Sequence, residues 1–304
     1  MPTYDQPLAG RVALVAGATR GCGRAIAIEL GALGATVYGS GRSTRSGRSP
    51  IDRPETIEDT AELVTAAGGE GVAVRCDHAN EIEVKALVSR IRGEHGRLDI
   101  LINDIWGGDS FLEWEKPLWE HSLDATLGVL RNGIETHLIT SHFAIPLMLE
   151  HKGGLVIEVG DGKGDVPYRA NMSYDLVKAA VVRMGAALAH ELRPHGITAL
   201  SVTPGYLRSE AMLDHFGVTE KTWRDAADHV PFFDHSETPH LLARGIAALA
   251  ADPKRDRFNG QCLGSWDLMR TYELADLDGS QPDWGAVDLE ARRNTLTSGM
   301  PEPT

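Results

Sequence analysis

Apolar residues along this 304-residue chain recur in two alternating patterns. Short runs rich in β-branched residues lie at 11–17 (RVALVAG), 35–41 (ATVYGSG), 71–77 (GVAVRCD), 98–104 (LDILIND), 154–160 (GLVIEVG) and 196–204 (GITALSVTP). Between them, 24–34, 55–69, 81–96 and 171–196 carry apolar residues at helical spacing. Strand and helix therefore alternate up to residue 204, which predicts an α/β fold of the Rossmann type. Its parallel sheet is doubly wound, because parallel neighbours need a crossover helix to bring the chain back. No linker-like shift in composition interrupts the pattern, so a single domain is expected. It spans 1–266, with a polar insert at 42–54, a helical lid over 206–230, and a C-terminal extension at 267–304. The acidic stretch 276–290 of that extension is expected to reach over a neighbour, and the last residues to be disordered.

Charge narrows the partners. A formal net charge of −13 argues against nucleic acid and anionic membranes, which are held by Lys and Arg. Cys22, Cys76 and Cys262 are far apart and form no C-x-x-C pair, so the expectation is a reducing cytoplasm with neither zinc nor a disulfide framework. No apolar run is long enough to cross a bilayer and no cleavable leader is evident. His137 and His142, five apart, are poorly spaced for one helix face, and no carboxylate completes a set with them, so no metal is expected.

Two local features carry chemistry. The first apolar run ends in AGATRGCGRAIAIEL, with Gly17, Gly21 and Gly23 ahead of a helix. Such glycines let the backbone turn sharply against a pyrophosphate at the positive end of the helix, although a plain strand-to-helix turn has the same look. Where a carboxylate would bind both ribose hydroxyls of NAD, the second run ends in Arg42 and Ser43, with Arg20 in the glycine turn. A guanidinium there suits a 2′-phosphate, so NADP(H) is favoured over NAD(H). The second feature is Tyr174 and Lys178, four apart on the 171–196 helix and so on one face. A nearby ammonium lowers a phenol pKa and lets it exchange a proton with a substrate oxygen, though a solvated helix face carries the same spacing.

The glycine turn at 17–23, the Tyr174/Lys178 pair and TPGYLRS at 203–209 stand in the order and at the separations of the short-chain dehydrogenase/reductases. The resemblance covers residues 8–264. Within it, GRLDILIN and SWDLMRTYELADLDG look like the subgroup of dehydrogenase/reductase member 1 and its bacterial relatives. The resemblance implies roles residue by residue. Gly17, Thr19, Arg20, Gly21, Cys22 and Gly23 would hold the phosphates, Asp77 and His78 would flank the adenine, and Asn103 would close that side. Pro204, Gly205, Leu207 and Ser209 would position the nicotinamide carboxamide, and Lys178 its ribose. It also implies a homodimer or homotetramer through the helices at 117–150 and 172–193.

The chain departs from the family pattern twice. The serine expected about thirteen residues before the tyrosine is Asp161, and the helix asparagine is Gly133, with Asn132 one residue early. One residue turns a helix by about 100 degrees, so Asn132 is a poor substitute. An ionised carboxylate only accepts hydrogen bonds and raises the pKa of a neighbouring phenol. Asp161 is therefore read in four ways: a protonated donor, a group binding a substrate hydroxyl or cationic nitrogen, a mark of lost hydride transfer, or a turn aspartate capping GDGKG. Glu158, inside its strand, reads as a partner for a neighbouring helix. Trp106, Tyr168, Tyr206 and Met212 are expected to contact substrate, with Phe111, Trp114 and Phe216 nearby.

The leading expectation is an NADP-dependent oxidoreductase acting on a small-molecule carbonyl or alcohol, with Tyr174, Lys178 and Asp161 catalytic. The alternatives are an NADP-binding protein without useful turnover and a non-redox lyase or isomerase with Asp161 as base.

Overall fold

A computed structural model describes residues 6–47, 49, 51–114, 116–164, 168–169 and 171–287. The expected disorder at the C-terminal end falls outside them. Seven parallel strands form one sheet in the order β3-β2-β1-β4-β5-β6-β7. They are β1 (Val12–Ala16), β2 (Thr36–Gly41), β3 (Glu70–Arg75), β4 (Ile100–Asn103), β5 (Gly154–Val159), β6 (Ile197–Thr203) and β7 (Cys262–Gly264). All residues of β1, β4, β5 and β6 are buried, as expected of strands covered on both faces. The expected class, a single doubly wound Rossmann-type domain, is the one observed.

Helices cover both faces. One layer contains α1 (Gly21–Ala32), and the other α3 (Glu81–His95), α5 (Thr136–Met148) and α6 (Met172–Leu192). The core is split accordingly. One cluster joins Val15, Ile26, Ile102 and Ile246 on the α1 side, and another joins Leu14, Leu87, Leu147 and Val156 on the opposite face. Between β2 and β3, α2 (Ile57–Ala67) starts on a reciprocal Thr56/Asp59 capping box and ends at Gly68 with φ 115°. The 117–150 region resolves into α4 (Leu123–Leu130), one π-helical turn (Arg131–Glu135) and α5.

The sequence reading missed α9 (Pro239–Ala251) and β7, and set a domain edge at 266 that falls inside α10 (Ser265–Tyr272). Trp266, Leu268 and Met269 of α10 are buried, so this segment belongs to the core. The described part of the acidic stretch also folds back on its own chain: Arg270 pairs with Asp283, and Trp284 packs edge-on against Tyr206 with ring centroids 5.5 Å apart. Between β6 and α9 run α7 (Glu210–His215) and α8 (Arg224–Ala227). This excursion is anchored by Arg208, whose side chain is 1% exposed. Its guanidinium stacks 4.0 Å from the Trp223 centroid and donates to Glu220 Oε1 at 2.9 Å and the Ser236 carbonyl at 2.5 Å.

Candidate active site

The strand order reverses direction between β1 and β4, and at the carboxyl ends of these strands the chain leaves a crevice. A cavity of about 700 Å³ opens there. Its floor is the turn after β1. Gly17 has φ +91°, and a Cβ on it would lie 2.1 Å from the Asp104 carbonyl oxygen. A Cβ on Gly23 would lie 2.3 Å from the Gly17 carbonyl oxygen, so the third glycine lets α1 pack on the turn and does not itself line the cavity. Thr19, Arg20, Gly21 and Cys22 do line it. The Gly21 N–H, at the start of α1, points to the Glu210 carboxylate of α7, whose oxygens accept from it at 3.1 and 3.3 Å. A carboxylate thus occupies the anion position of this helix end.

The basic corner lies beside that turn. Arg20 donates to Ser49 Oγ at 3.0 Å and to Ser43 Oγ at 3.4 Å, while its buried Nε, with no hydrogen-bond partner among the described residues, lies 3.6 Å from Glu55 Oε2. Burial lowers the Arg20 pKa, which Glu55 partly offsets. Arg42 and Ser43 line the same wall. Asp77 lines it too, its N–H held by Glu83 Oε2 at 2.8 Å. His78 is 3% exposed, and its ring bridges Ser40 Oγ at 2.9 Å and Thr140 Oγ1 at 2.8 Å. Burial drives its pKa down to about 3, so it is a neutral structural link between β2 and α5. His78, expected to flank the adenine, lines the same cavity.

Asn103, expected to close the adenine side, lies outside the cavity lining. It is fully buried beneath the cavity, donating to Ser141 Oγ at 3.0 Å and Glu158 Oε1 at 2.8 Å. Glu158 reaches His137 Nδ1 at 2.6 Å, and His137 Nε2 contacts the Ile105 carbonyl at 3.0 Å. Glu158 therefore ties β5 to a neighbouring helix, α5, and props up the loop that begins at Asp104. That residue's carboxyl pKa is pushed up to about 7 by burial, against the pull of Lys178 and His137.

The Tyr174/Lys178 pair stands on α6. Asn171, fully buried, caps the helix: its Oδ1 accepts from the Tyr174 N–H at 3.0 Å and from Ser173 Oγ at 2.8 Å. Its Nδ2 donates to the Glu113 carbonyl at 3.0 Å, so one side chain fixes both the first turn of α6 and the loop opposite. The Tyr174 hydroxyl then donates to Asp161 Oδ2 at 2.6 Å. Lys178 Nζ lies over the rings, 4.6 Å from the Trp106 centroid and 5.3 Å from that of Tyr174. Burial first, then the charge and hydrogen bond of Asp161, hold the Tyr174 pKa well above its ordinary value. Arg169 is the cation that opposes this rise, so the lowering expected from Lys178 is not seen, and burial lowers the pKa of Lys178 itself.

Asp161 follows β5, and the next residue, Gly162, has φ +95° and donates its N–H to Thr203 Oγ1 at 2.7 Å. Arg169, which the sequence reading passed over, clamps this corner. It donates to the Asp161 carbonyl at 2.5 Å and to Asp175 Oδ1 at 3.3 Å, and its Nε lies 3.5 Å from Asp161 Oδ2. Trp106, Trp114, Tyr206, Met212, Pro204, Gly205, Leu207 and Ser209 line the cavity, and so does Trp284. Tyr168, expected at the substrate, is 61% exposed and lies outside the cavity lining. Asn132 and Gly133 both line the cavity, because the π-helical turn inserts an extra residue there. The Asn132 Nδ2 is spent on the Gly128 carbonyl at 2.9 Å. Among the described residues, no group of three or more His, Cys, Asp or Glu is arranged to hold a metal ion.

Known proteins place this geometry. The short chain dehydrogenase family pattern matches residues 11–216. The chain is 35% identical over 278 residues to dehydrogenase/reductase SDR family member 1 of Mus musculus, a match covering 90% of this chain and 85% of that protein. The Homo sapiens protein of the same name is 33% identical over 283 residues, with 90% and 85% covered. In three dimensions, the hydroxysteroid dehydrogenase of Escherichia coli matches with a TM-score of 0.69 at 22% identity, covering 86% of this chain and 98% of that one. Actinorhodin polyketide ketoreductase crystallised with NADPH matches with a TM-score of 0.70 at 23% identity, covering 86% and 97%. The family uses nicotinamide cofactors, and the glycine turn, whose Gly17 leaves no room for a Cβ, fits such a group. This chain belongs to the short-chain dehydrogenase/reductase family of oxidoreductases.

Proposed function

We propose that the protein is an NADP(H)-dependent oxidoreductase that moves a hydride between nicotinamide and a small carbonyl or alcohol, with Tyr174 exchanging the proton at the substrate oxygen. The observation that carries this reading is that Tyr174 and Lys178 line the same cavity as the glycine turn and the basic corner. Bound nicotinamide supplies or accepts the hydride. The chain supplies the rest. Gly17 to Gly21 and the α1 N-terminus hold the pyrophosphate, Pro204 to Ser209 bound the carboxamide, and Lys178 holds the ribose. Arg42, with Arg20, Ser43 and Ser49, supports a 2′-phosphate and hence NADP over NAD: the Arg20 Nε, which has no hydrogen bond among the described residues, and the two serine hydroxyls are donors of the kind that ligand needs.

Tyr174 is the proton donor in reduction and the acceptor in oxidation. Replacing it by Phe removes the hydroxyl and leaves the ring packing with Trp106 and Trp114. Turnover should fall by about 10²-fold or more while NADPH binding is retained. Full NADPH-dependent turnover by Tyr174→Phe would overturn the mechanism. A second reading, cofactor binding without useful catalysis, is supported by the Tyr174 hydroxyl being engaged by Asp161. It predicts tight NADPH binding with no oxidation across a broad panel of carbonyl compounds.

The segment 206–230 serves as a lid whose base is the Arg208 anchor, within a single cofactor-binding domain whose core includes α10. Leu123, Leu127 and Leu138, at 69%, 46% and 52% exposure on α4 and α5, support a homodimer or homotetramer. Free Cys22, Cys76 and Cys262 favour a cytoplasmic location. Among the described residues no helix is long and apolar enough to cross a membrane.

A further inference from the structure

Asp161 creates a difficulty for a plain ketone. A hydroxyl at this position could donate to the substrate oxygen, but a carboxylate cannot, and it also draws the only acidic proton of the pair, that of Tyr174, toward itself at 2.6 Å. A plain ketone gives the Tyr174 hydroxyl another acceptor but leaves the carboxylate without a donor in exchange. A substrate carrying a cation supplies one. An ammonium donor can take the Asp161 carboxylate, cancel its charge beside the phenol, and release the Tyr174 hydroxyl to turn to the substrate oxygen.

The surroundings favour a cation as well. Among the described residues, the Tyr174 and Arg169 contacts to the Asp161 side chain both fall on Oδ2, which leaves Oδ1 for a further donor. Arg169 offsets this charge only in part, because its other nitrogens are committed to the Asp161 carbonyl and to Asp175. A second carboxylate, Asp109, borders the same cavity and accepts from Trp106 Nε1 at 2.6 Å. The walls are aromatic, with Trp106 and Trp114 centroids 5.6 and 5.5 Å from that of Tyr174. Trp faces next to carboxylates are the common means of holding a desolvated ammonium, and Lys178 Nζ over Trp106 is an internal example.

Spacing selects the kind of cation. The phenol oxygen and the carboxylate oxygen are in hydrogen-bond contact, so the two substrate atoms that meet them must also be close. An oxygen and a nitrogen on adjacent carbons satisfy this. Resting on the oxidoreductase reading above, we propose that the substrate pair is a vicinal amino ketone and amino alcohol, its protonated nitrogen held by Asp161 while its oxygen meets Tyr174. In reduction the carbonyl carbon accepts a hydride from reduced nicotinamide, the carbon–oxygen π pair moves to oxygen, and that oxygen takes the Tyr174 proton. The resulting phenolate is reprotonated by water. Oxidation runs the same steps in reverse.

The test compares 2-(dimethylamino)-1-phenylethanone, an ammonium at neutral pH, with 3-methyl-1-phenylbutan-1-one, its isostere with carbon in place of nitrogen. The full-length protein is assayed with each ketone and NADPH by loss of absorbance. The amino ketone should have kcat/KM higher by about tenfold or more. Asp161→Asn should abolish that preference, and Asp161→Ser should shift it toward the neutral ketone. Equal or better turnover of the neutral ketone by the native protein, or a preference that survives Asp161→Asn, overturns the proposal. Binding of the two corresponding alcohols, read from tryptophan fluorescence with and without NADPH, decides the matter if neither ketone turns over. Tighter binding of the amino alcohol, lost in Asp161→Asn, upholds the proposal, and equal binding overturns it. Failure of NADPH itself to bind would instead count against the oxidoreductase reading.

Discussion

Glu210 sits where the cofactor pyrophosphate is proposed to bind, so removing it should tighten cofactor binding. Its two oxygens share one donor, the Gly21 N–H, at 3.1 and 3.3 Å. These are longer than the roughly 2.7–2.9 Å of a strong charge-assisted bond, which argues for the low end of the usual range, about 1 kcal/mol. Pyrophosphate must break this contact before it can use the same N–H. Removing the contact in Glu210→Ala should therefore lower the NADPH Kd about fivefold, since about 1.4 kcal/mol corresponds to tenfold. Repulsion between the displaced carboxylate and the phosphates adds to this, so fivefold is the lower bound at low salt. Glu210→Gln keeps an acceptor and loses the charge, and should fall between the native protein and the alanine variant. Nucleotide fluorescence titrations at low and high salt measure both parts, because only the repulsive part is screened by ions. An unchanged or weaker affinity in Glu210→Ala, with the circular dichroism spectrum intact, would refute the reasoning.

Arg42→Ala should weaken NADPH binding by about ten- to a hundredfold and leave NADH nearly unaffected, and equal losses for both cofactors in parallel titrations would speak against a 2′-phosphate contact. Asn171→Ala removes the cap of α6 and should cost about 1 kcal/mol in urea unfolding together with a fall in kcat, since the same side chain sets the Tyr174 backbone. Glu237 is fully buried, and burial pushes its carboxyl pKa up to about 8, whereas an exposed Glu titrates near about 4.3. Between those values the native protein binds the extra proton, so the contribution of Glu237 to stability falls as pH rises through that window. Glu237→Gln fixes the neutral form, and its stability relative to the native protein should rise by about 3.5 kcal/mol between pH 5 and pH 8 in urea melts. A gap that stays constant with pH would refute this assignment.

The alternation of strands and helices was readable because the central strands β1, β4, β5 and β6 are buried on both faces and the helices between strands carry apolar stripes. The three-residue β7 gives no such signal, since it depends on pairing of Ser201 to Thr203 with Cys262 to Gly264. The Tyr174/Lys178 pair and the glycine turn were legible because their partners are local or fixed by the turn. Asn171 was not, because its meaning comes from the Glu113 carbonyl 58 positions away. Glu210 and Gly21 are 189 apart, and no spacing rule links them. His78 and Asn103 were assigned to the cofactor from their places in the pattern, but the sequence could not show that their side chains turn inward to Thr140 and Glu158. Asp161 was visible as a departure, yet its two partners, Tyr174 and Arg169, had to be seen to know that it restrains the phenol.

Trp284 brings a residue from well beyond the family pattern to the cavity wall. The family pattern ends at residue 216, whereas this ring lines the cavity and packs on Tyr206. Two relatives could share every residue of the proton-transfer and cofactor machinery and still differ in diet because their final segments differ. Exchange of that segment between relatives would then be a route by which selectivity evolves while the reaction itself is conserved.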